Sequence, residues 1–233
     1  MIYENYGAST TDALEATLGP LLDILRRYER ETDPSKYFME QVRRSFHSSP
    51  ADIKLIGNTL FFANEAHRYQ LRLTGKPYVI HPISAAAIIF EYLEIIDAII
   101  VAGTLGHDIR EDHGKVWSRW HVRERTSASV AEIISWCNRN DYAEINDKRR
   151  RDDAFLGNIL REGPLEVRIV KSAEKLHNNL TPAPEKLADP EWRGRKVRTI
   201  EKWYEPITRS TGFLVEEMTA SRIAIENKIC LLT

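Results

Sequence analysis

Two cysteines in 233 residues, Cys137 and Cys230, stand far apart without metal-type spacing. That speaks against a disulfide framework and a zinc finger, and fits a reducing compartment. No stretch alternates Val, Ile or Thr with polar residues for long enough to suggest a sheet. Neither charge is in excess: 33 Lys plus Arg against 34 Asp plus Glu leave a formal charge of -1. No overall field therefore draws the chain to nucleic acid or an anionic membrane, and an anionic ligand must be met by a local basic patch. The start MIYENYGAST has no basic residues followed by an apolar core, and Asp97 interrupts the apolar stretch near 95–105. Neither secretion nor membrane spanning is indicated, and a cytoplasmic location is expected. Internal repeats and low-complexity segments are also missing.

What the chain does have is apolar residues at helical spacing almost throughout, and 42% hydrophobic content to build a core. An all-α fold follows. The expected organisation is an N-terminal helical extension over 1–48, a central domain over 49–210 and a tail over 211–233 that packs on the same domain. Thr10 or Thr11 is expected to cap a first helix to about Arg27, with Leu14, Leu18, Leu21, Leu22 and Leu25 on its apolar side and a kink or split at Gly19-Pro20. In SSPAD, Ser49 can cap, Pro50 suits the first helical position and Asp52 favours the positive helix end. A long helix should follow, ended by Gly75 and Pro77. Further helices are expected after His81-Pro82, over about 95–111, from Ser127 or Ser129, after Gly163-Pro164, and from about Glu191 to Arg209.

The stretch GHDIREDH at 106–113 packs an imidazole and three carboxylates against an apolar run. On a continuous helix His107 would stack with Glu111 and Asp108 with Asp112. An imidazole beside a carboxylate suits Mn, Fe or Zn, but two ligands from one helix hold a divalent ion weakly. His81 and a carboxylate or His between Lys171 and His177 are the candidates to complete the set. Glu111 and Asp112 would then be free to take a proton from an ion-activated water and orient it for attack on phosphorus. The apolar, small residues AIIVAGTLG before the motif imply burial where unpaired charge is costly.

Taken together, AHRYQLRLTGKPYVIHP at 66–82, GTLGHDIRED at 103–112 and VKSAEKLHNNLT at 170–181 resemble the HD-type hydrolase domain of the RelA/SpoT family, including its small alarmone hydrolases. The resemblance covers about residues 50–205 and implies an HD-domain helical bundle carrying extra N- and C-terminal helices. It implies that His81, His107 and Asp108 hold one Mn ion, with Glu174 at the position of a fourth ligand, and that Glu111 and Asp112 activate water. The implied reaction removes the 3′-pyrophosphate of ppGpp or pppGpp. By the same resemblance Arg72 contacts the nucleotide base and Asn178 and Thr181 line its pocket, with Tyr78 and Lys171 as neighbours. The expected partner is thus a small nucleotide, with no nucleic acid and no membrane; the oligomeric state stays open.

Three positions depart from the family pattern. Glu174 stands where the family has Asp, Leu73 where it has Lys, and His113-Gly114 where Thr is usual. They leave open a substrate other than ppGpp, such as an adenine alarmone or a nicotinamide dinucleotide phosphate, or a catalytically weak nucleotide-binding relative. His177, three residues after Glu174, is an alternative ligand. His67 is expected to pack or hydrogen-bond near the site, and His47, His113 and His121 to lie at the surface or in an interface. Lys148, Arg149, Arg150 and Arg151 read as a solvated helix face, with polyphosphate binding as the alternative. Trp117, Trp120, Trp136, Trp192 and Trp203 read as packing residues, and Cys137 as buried and inert. The region after the HD motif is not strand-rich, so no synthetase half is expected.

Overall fold

Side-chain caps and prolines decide where most helices of this chain begin. The computed structural model describes residues 4–232, with side chains from Thr10 onward. Helix α1 (Glu4–Arg30) is followed by α2 (Pro34–Ser45), α3 (Pro50–Ala66) and α4 (Ile80–Ala87), which continues as a π-helical turn over Ile88–Tyr92. Then come α5 (Ala98–Gly106), α6 (Ile109–His113), α7 (Arg119–Arg125), α8 (Ala128–Trp136), α9 (Lys148–Glu162) and α10 (Leu165–Leu180). The chain closes with α11 (Pro184–Ala188), α12 (Pro190–Thr199), a π-helical turn over Ile200–Tyr204, α13 (Glu205–Thr211) and α14 (Val215–Glu226). No β-strand occurs among the described residues, as the sequence led one to expect. No helix among them is long and apolar enough to cross a membrane.

Ser49 accepts from the Asp52 amide with Pro50 next to it, and Ser127 accepts from the Val130 amide, both as the sequence indicates. Asp33, Asp97, Ser118, Asp147 and Asp189 cap α2, α5, α7, α9 and α12 in the same way.

The core lies where α4, α5 and α10 meet. Helix α1 closes one side with Leu18, Leu21, Leu22 and Leu25, all at most 1% exposed, each burial contributing about 1.5–3 kcal/mol. Helix α14 packs on α1 and α10, and α3 and α8 cover the two sides of α5.

Four expectations about helix ends need correction. Helix α1 starts upstream of Thr10 and is not split at Pro20. Pro20 and Ala16, whose carbonyl loses its donor, are both exposed, so water can replace the missing bond. Helix α3 stops at Ala66, before Gly75 and Pro77. Residues 70–78 instead double back, with Arg72 N–H donating to the Lys76 carbonyl (2.9 Å) and Tyr78 N–H to that of Gln70 (3.0 Å), and Gly75 takes the left-handed φ of 82° this turn needs. The helix expected over 95–111 is two, α5 and α6, broken at His107-Asp108. The segment expected as one helix to Arg209 widens into a π turn before Pro206, which has no N–H to donate to the preceding turn. Trp120 is 64% exposed and is not a packing residue, whereas Trp117 stacks edge-on against Phe62 with ring centroids 5.0 Å apart.

Helix α5 approaches α8 through glycine. A Cβ at Gly103 would meet Ile133 Cγ2 at 2.7 Å, and one at Gly106 would meet Ile134 Cδ1 at 2.4 Å. Both isoleucines are buried, and Cγ2 is tied to the backbone of α8. Gly103→Ala should therefore cost about 1–3 kcal/mol in denaturant unfolding despite its better helix propensity. An unchanged or raised midpoint would show that α5 and α8 have slack.

Candidate metal centre

The break after Gly106 has a local cause. In an unbroken helix the Thr104 carbonyl would accept from the Asp108 amide. Here it takes the His107 N–H at 3.4 Å and the His107 ring Nδ1 at 2.7 Å. With Nδ1 donating to that carbonyl, Nε2 carries the lone pair and points inward. Asp108, one residue past the helix end, turns its carboxylate to the same place: Oδ2 lies 3.0 Å from His107 Nε2 and 3.7 Å from His81 Nε2. His81 arrives from the first turn of α4 and Glu174 from the middle of α10. His81, His107 and Glu174 are all buried, and each offers a ligand atom within 4.8 Å of the other two.

Several polar atoms here lack the hydrogen bonds their burial demands. His107 Nε2, Glu174 Oε2 and His177 Nε2 are buried without a hydrogen-bond partner. Glu174 Oε2 has an ion pair with Lys171 Nζ at 2.8 Å, and Oε1 accepts from Asn178 Nδ2 at 2.6 Å. Ligand atoms of His81, His107 and Glu174 gathered within 4.8 Å of one another, with the Asp108 carboxylate beside the two imidazoles and no hydrogen-bond partner for His107 Nε2, fit a divalent cation of the Mn, Fe or Zn type.

His177 does not share that point. Its Nδ1 lies 2.8 Å from His81 Nδ1, one ring donating and the other accepting, so it backs His81 and orients it.

The electrostatics favour ligation. Burial holds His81 and His177 well below the usual histidine range, helped by the neighbouring imidazoles at His81 and by Arg72 and His107 at His177, so both stay neutral. Burial opposes charge on His107, but Asp108 outweighs it and raises its pKa; a cation would take that proton's place. Burial likewise works against the Asp108 carboxylate, and His107 and His81 overcome it, leaving its pKa well below the ordinary range. Glu174 is ionised despite burial because of Lys171, and Lys171 is held protonated by Glu174.

Around this centre lie the other residues singled out in the sequence. Tyr78 O–H donates to Asp108 Oδ2 at 2.6 Å. Arg72 Nη2 donates to Asn178 Oδ1 (3.1 Å) and Thr181 Oγ1 (3.0 Å), which ties the 70–78 turn to the end of α10. Asn178 thus links Arg72 to Glu174. Leu73, at the position of the family lysine, is 74% exposed. Asp112 accepts from Gln70 Nε2 at 2.8 Å, and the Gln70 carbonyl oxygen bridges His67 Nδ1 (2.7 Å) and His113 Nε2 (3.2 Å). His67 is accordingly a packing and hydrogen-bonding residue, stacked on Tyr78, and His113 is half-buried beside it. His67, Asp112 and His113 form a second, more open group of ligand-type atoms.

Glu111 brings in a residue the sequence did not flag. Arg139, 28 positions later, holds Glu111 Oε1 at 3.0 Å and Asp152 Oδ1 at 3.2 Å. Nothing in the spacing of Arg139 announces this, because the loop after α8 brings it back. Burial raises the Glu111 pKa, with Lys171 and Arg139 pulling it down. Cys137 is buried, its thiol pushed up to about 12 by burial, as an inert residue should be.

A buried imidazole–carboxylate cluster at the junction of three helices defines a metal-binding helical domain. The family model for the HD domain matches residues 59–212, about two thirds of the sequence, and the chain belongs to that family. The sequence is 25% identical over 162 residues to the bifunctional (p)ppGpp synthase/hydrolase SpoT of Escherichia coli K12, covering 69% of this chain and 22% of that one. It is 28% identical over 155 residues to a guanosine-3′,5′-bis(diphosphate) 3′-pyrophosphohydrolase of Haemophilus influenzae, covering 64% and 21%. The chain thus spans about a fifth of the length of these curated relatives. A solved structure described as a metazoan ortholog of SpoT that hydrolyzes ppGpp shares the fold at TM-score 0.57 and 19% identity, over 75% of this chain and 94% of that one. The resemblance to the RelA/SpoT type of HD domain is borne out.

His107→Ala should abolish tight divalent binding in calorimetric titration, and His177→Ala should weaken it roughly 10- to 100-fold by freeing the His81 ring. If His177→Ala binds as tightly as the native chain, His177 does not position His81.

Proposed function

We propose that this chain is a Mn-dependent alarmone hydrolase that cuts the 3′-pyrophosphate from ppGpp-like nucleotides. The observation that carries the reading is the convergence of His81, His107, Asp108 and Glu174 with two further carboxylates, Glu111 and Asp112, one turn beyond. Its similarity to relatives named for this reaction supports the substrate. A divalent cation held by these residues would supply Lewis acidity, lowering the pKa of water and polarising the bond under attack. His81, His107, Asp108 and Glu174 are the proposed ligands, and the length of Glu174 is accommodated by Asn178 and Lys171, which hold its carboxylate at the cluster.

Glu111 is the proposed general base. Burial raises its pKa and makes it a better proton acceptor than an exposed carboxylate, while Lys171 and Arg139 oppose that rise. Asp112, fixed by Gln70, orients the water. Attack on the 3′-linked phosphorus breaks its bond to the ribose oxygen, which regains a proton, and leaves GDP or GTP and pyrophosphate. Arg72, Tyr78, Lys171, Asn178 and Thr181 are the proposed nucleotide contacts, the Arg72 plane suiting a purine face. Two reduced cysteines and no membrane-spanning helix among the described residues support a cytoplasmic setting.

A second reading has one observation in its favour. Leu73 puts an exposed apolar side chain where a phosphate contact is expected, which suits a nucleotide with fewer phosphates on that side, such as a nicotinamide dinucleotide phosphate.

A panel of guanine and adenine nucleotides with Mn separates the two: pyrophosphate release from ppGpp that vanishes in Glu111→Gln supports the first, and activity confined to another nucleotide defeats it. The pH profile tests the base. Activity should fall as pH drops through the Glu111 pKa. Removing a cation that lowers that pKa, in Arg139→Ala, should move the acid limb to higher pH; an unmoved limb argues against Glu111.

A further inference from the structure

Beside the centre, α9, α10, α12 and the π turn after it line a cavity of about 580 Å³. Its acids are committed. Asp152 is held by Arg139, Asp153 accepts from Lys202 Nζ (2.8 Å) and Trp203 Nε1 (2.8 Å), and Asp147 caps α9 through the Arg150 amide (2.7 Å). Arg139 and Lys202 hold two of these acids and Arg195 pairs with Glu191, but the other cations lining the cavity have no such partner among the described residues. Lys175, only 8% exposed, and half-buried Lys196 are in side-chain contact with each other, and neither has a carboxylate within ion-pair distance among the described residues. Lys175 Nζ lies 4.4 Å from the centroid of the Tyr204 ring and Lys196 Nζ 5.5 Å from that of Trp192, so both stems are pinned against aromatic walls. Lys148, Arg149 and Arg198 line the same cavity without such a partner.

Burial holds both lysines below the usual range, repulsion by Lys196 lowers Lys175 further, and Glu174, the acid that acts on both, is already engaged by Lys171 and Asn178. An anion with several oxygens would relieve that repulsion and meet the other cations as well. The cavity also touches the metal centre: Arg139 lines it while holding Glu111, and Lys175 follows Glu174 on α10.

We propose that this cavity is a diphosphate-binding subsite, with Lys175 and Lys196 as its floor, which takes the substrate diphosphate that is not cut. The assignment rests on the alarmone reading above. It places the nucleoside at Arg72 and its uncut diphosphate in the cationic cavity, with the scissile group at the metal centre. It explains how a chain with a net charge of -1 meets a strongly anionic substrate, and it offers phosphate contacts in place of the one lost at Leu73.

The probe is inorganic pyrophosphate added to the full chain stripped of divalent ions, followed by calorimetry and thermal unfolding. Pyrophosphate should bind, more weakly as salt rises, and raise Tm. Lys196→Ala should weaken binding at least tenfold and Lys196→Arg should restore it. Lys175→Met, which removes the repulsion, should raise Tm without pyrophosphate and erase the further rise on its addition. Equal pyrophosphate binding by the native chain and both charge-removing variants overturns the proposal.

A kinetic arm identifies the source of the diphosphate. In Lys196→Ala, KM for a nucleotide with diphosphates at both 3′ and 5′ positions should rise at least tenfold, with kcat changing less, and KM for one lacking the 5′-diphosphate should stay put. Equal KM changes for both nucleotides overturn the assignment to substrate. If neither nucleotide is hydrolysed by the native chain, the reaction reading fails while the binding arm still decides whether the cavity takes a diphosphate.

Discussion

The hydrogen bond from His107 Nδ1 to the Thr104 carbonyl governs the whole centre. It ends the hydrogen-bond ladder of α5 and chooses the tautomer that leaves Nε2 as a lone pair, facing the Asp108 carboxylate. Asp108 itself keeps a right-handed backbone, with φ -93° and ψ -10°, so it is the side chain that brings Oδ2 to 3.0 Å from His107 Nε2. The close approach of α5 to α8 through Gly103 and Gly106 holds this corner against an apolar wall, and there the unsatisfied lone pairs gain their affinity for a cation.

Several charges around the centre face a specific counter-charge. Lys171 answers Glu174, Arg139 answers Glu111, and the imidazoles of His107 and His81 face Asp108. Asn178 joins Glu174 to Arg72, so the turn that would carry the nucleotide contacts and the helix that would carry the fourth ligand move as one unit. Burying such groups is costly unless their partners are complete, which makes the arrangement intolerant of single deletions. Lys175 and Lys196 stand apart from this pattern, and that is why they point to something the chain itself does not provide.

The family match begins at residue 59, yet the core does not. Leucines of α1 are as deeply buried as anything in the HD region, and α1 meets both the π turn after α4 and α14. Those flanking helices cover apolar surface of the helices that carry His81 and Glu174, and so contribute to the stiffness of the site from outside it.

Apolar periodicity and the scarcity of strand-forming runs determined the all-α class, because 3.6-residue spacing is written locally. Ser49-Pro50 and Ser127 were equally legible, since a cap acts within four residues. The motif blocks brought His81, His107, Asp108 and Glu174 into view as candidates, along with Arg72, Asn178 and Thr181. Only the tertiary structure decided that Glu174 rather than His177 faces the cluster, because two residues on one helix differ in what lies opposite them. It alone joined Arg139 to Glu111 and set Lys175 against Lys196, as these pairs meet through loops whose path depends on global packing. The break at His107 escaped detection for a related reason: a side chain competing for a backbone carbonyl leaves no periodic trace, and its outcome is settled by the space the surrounding helices leave for the ring.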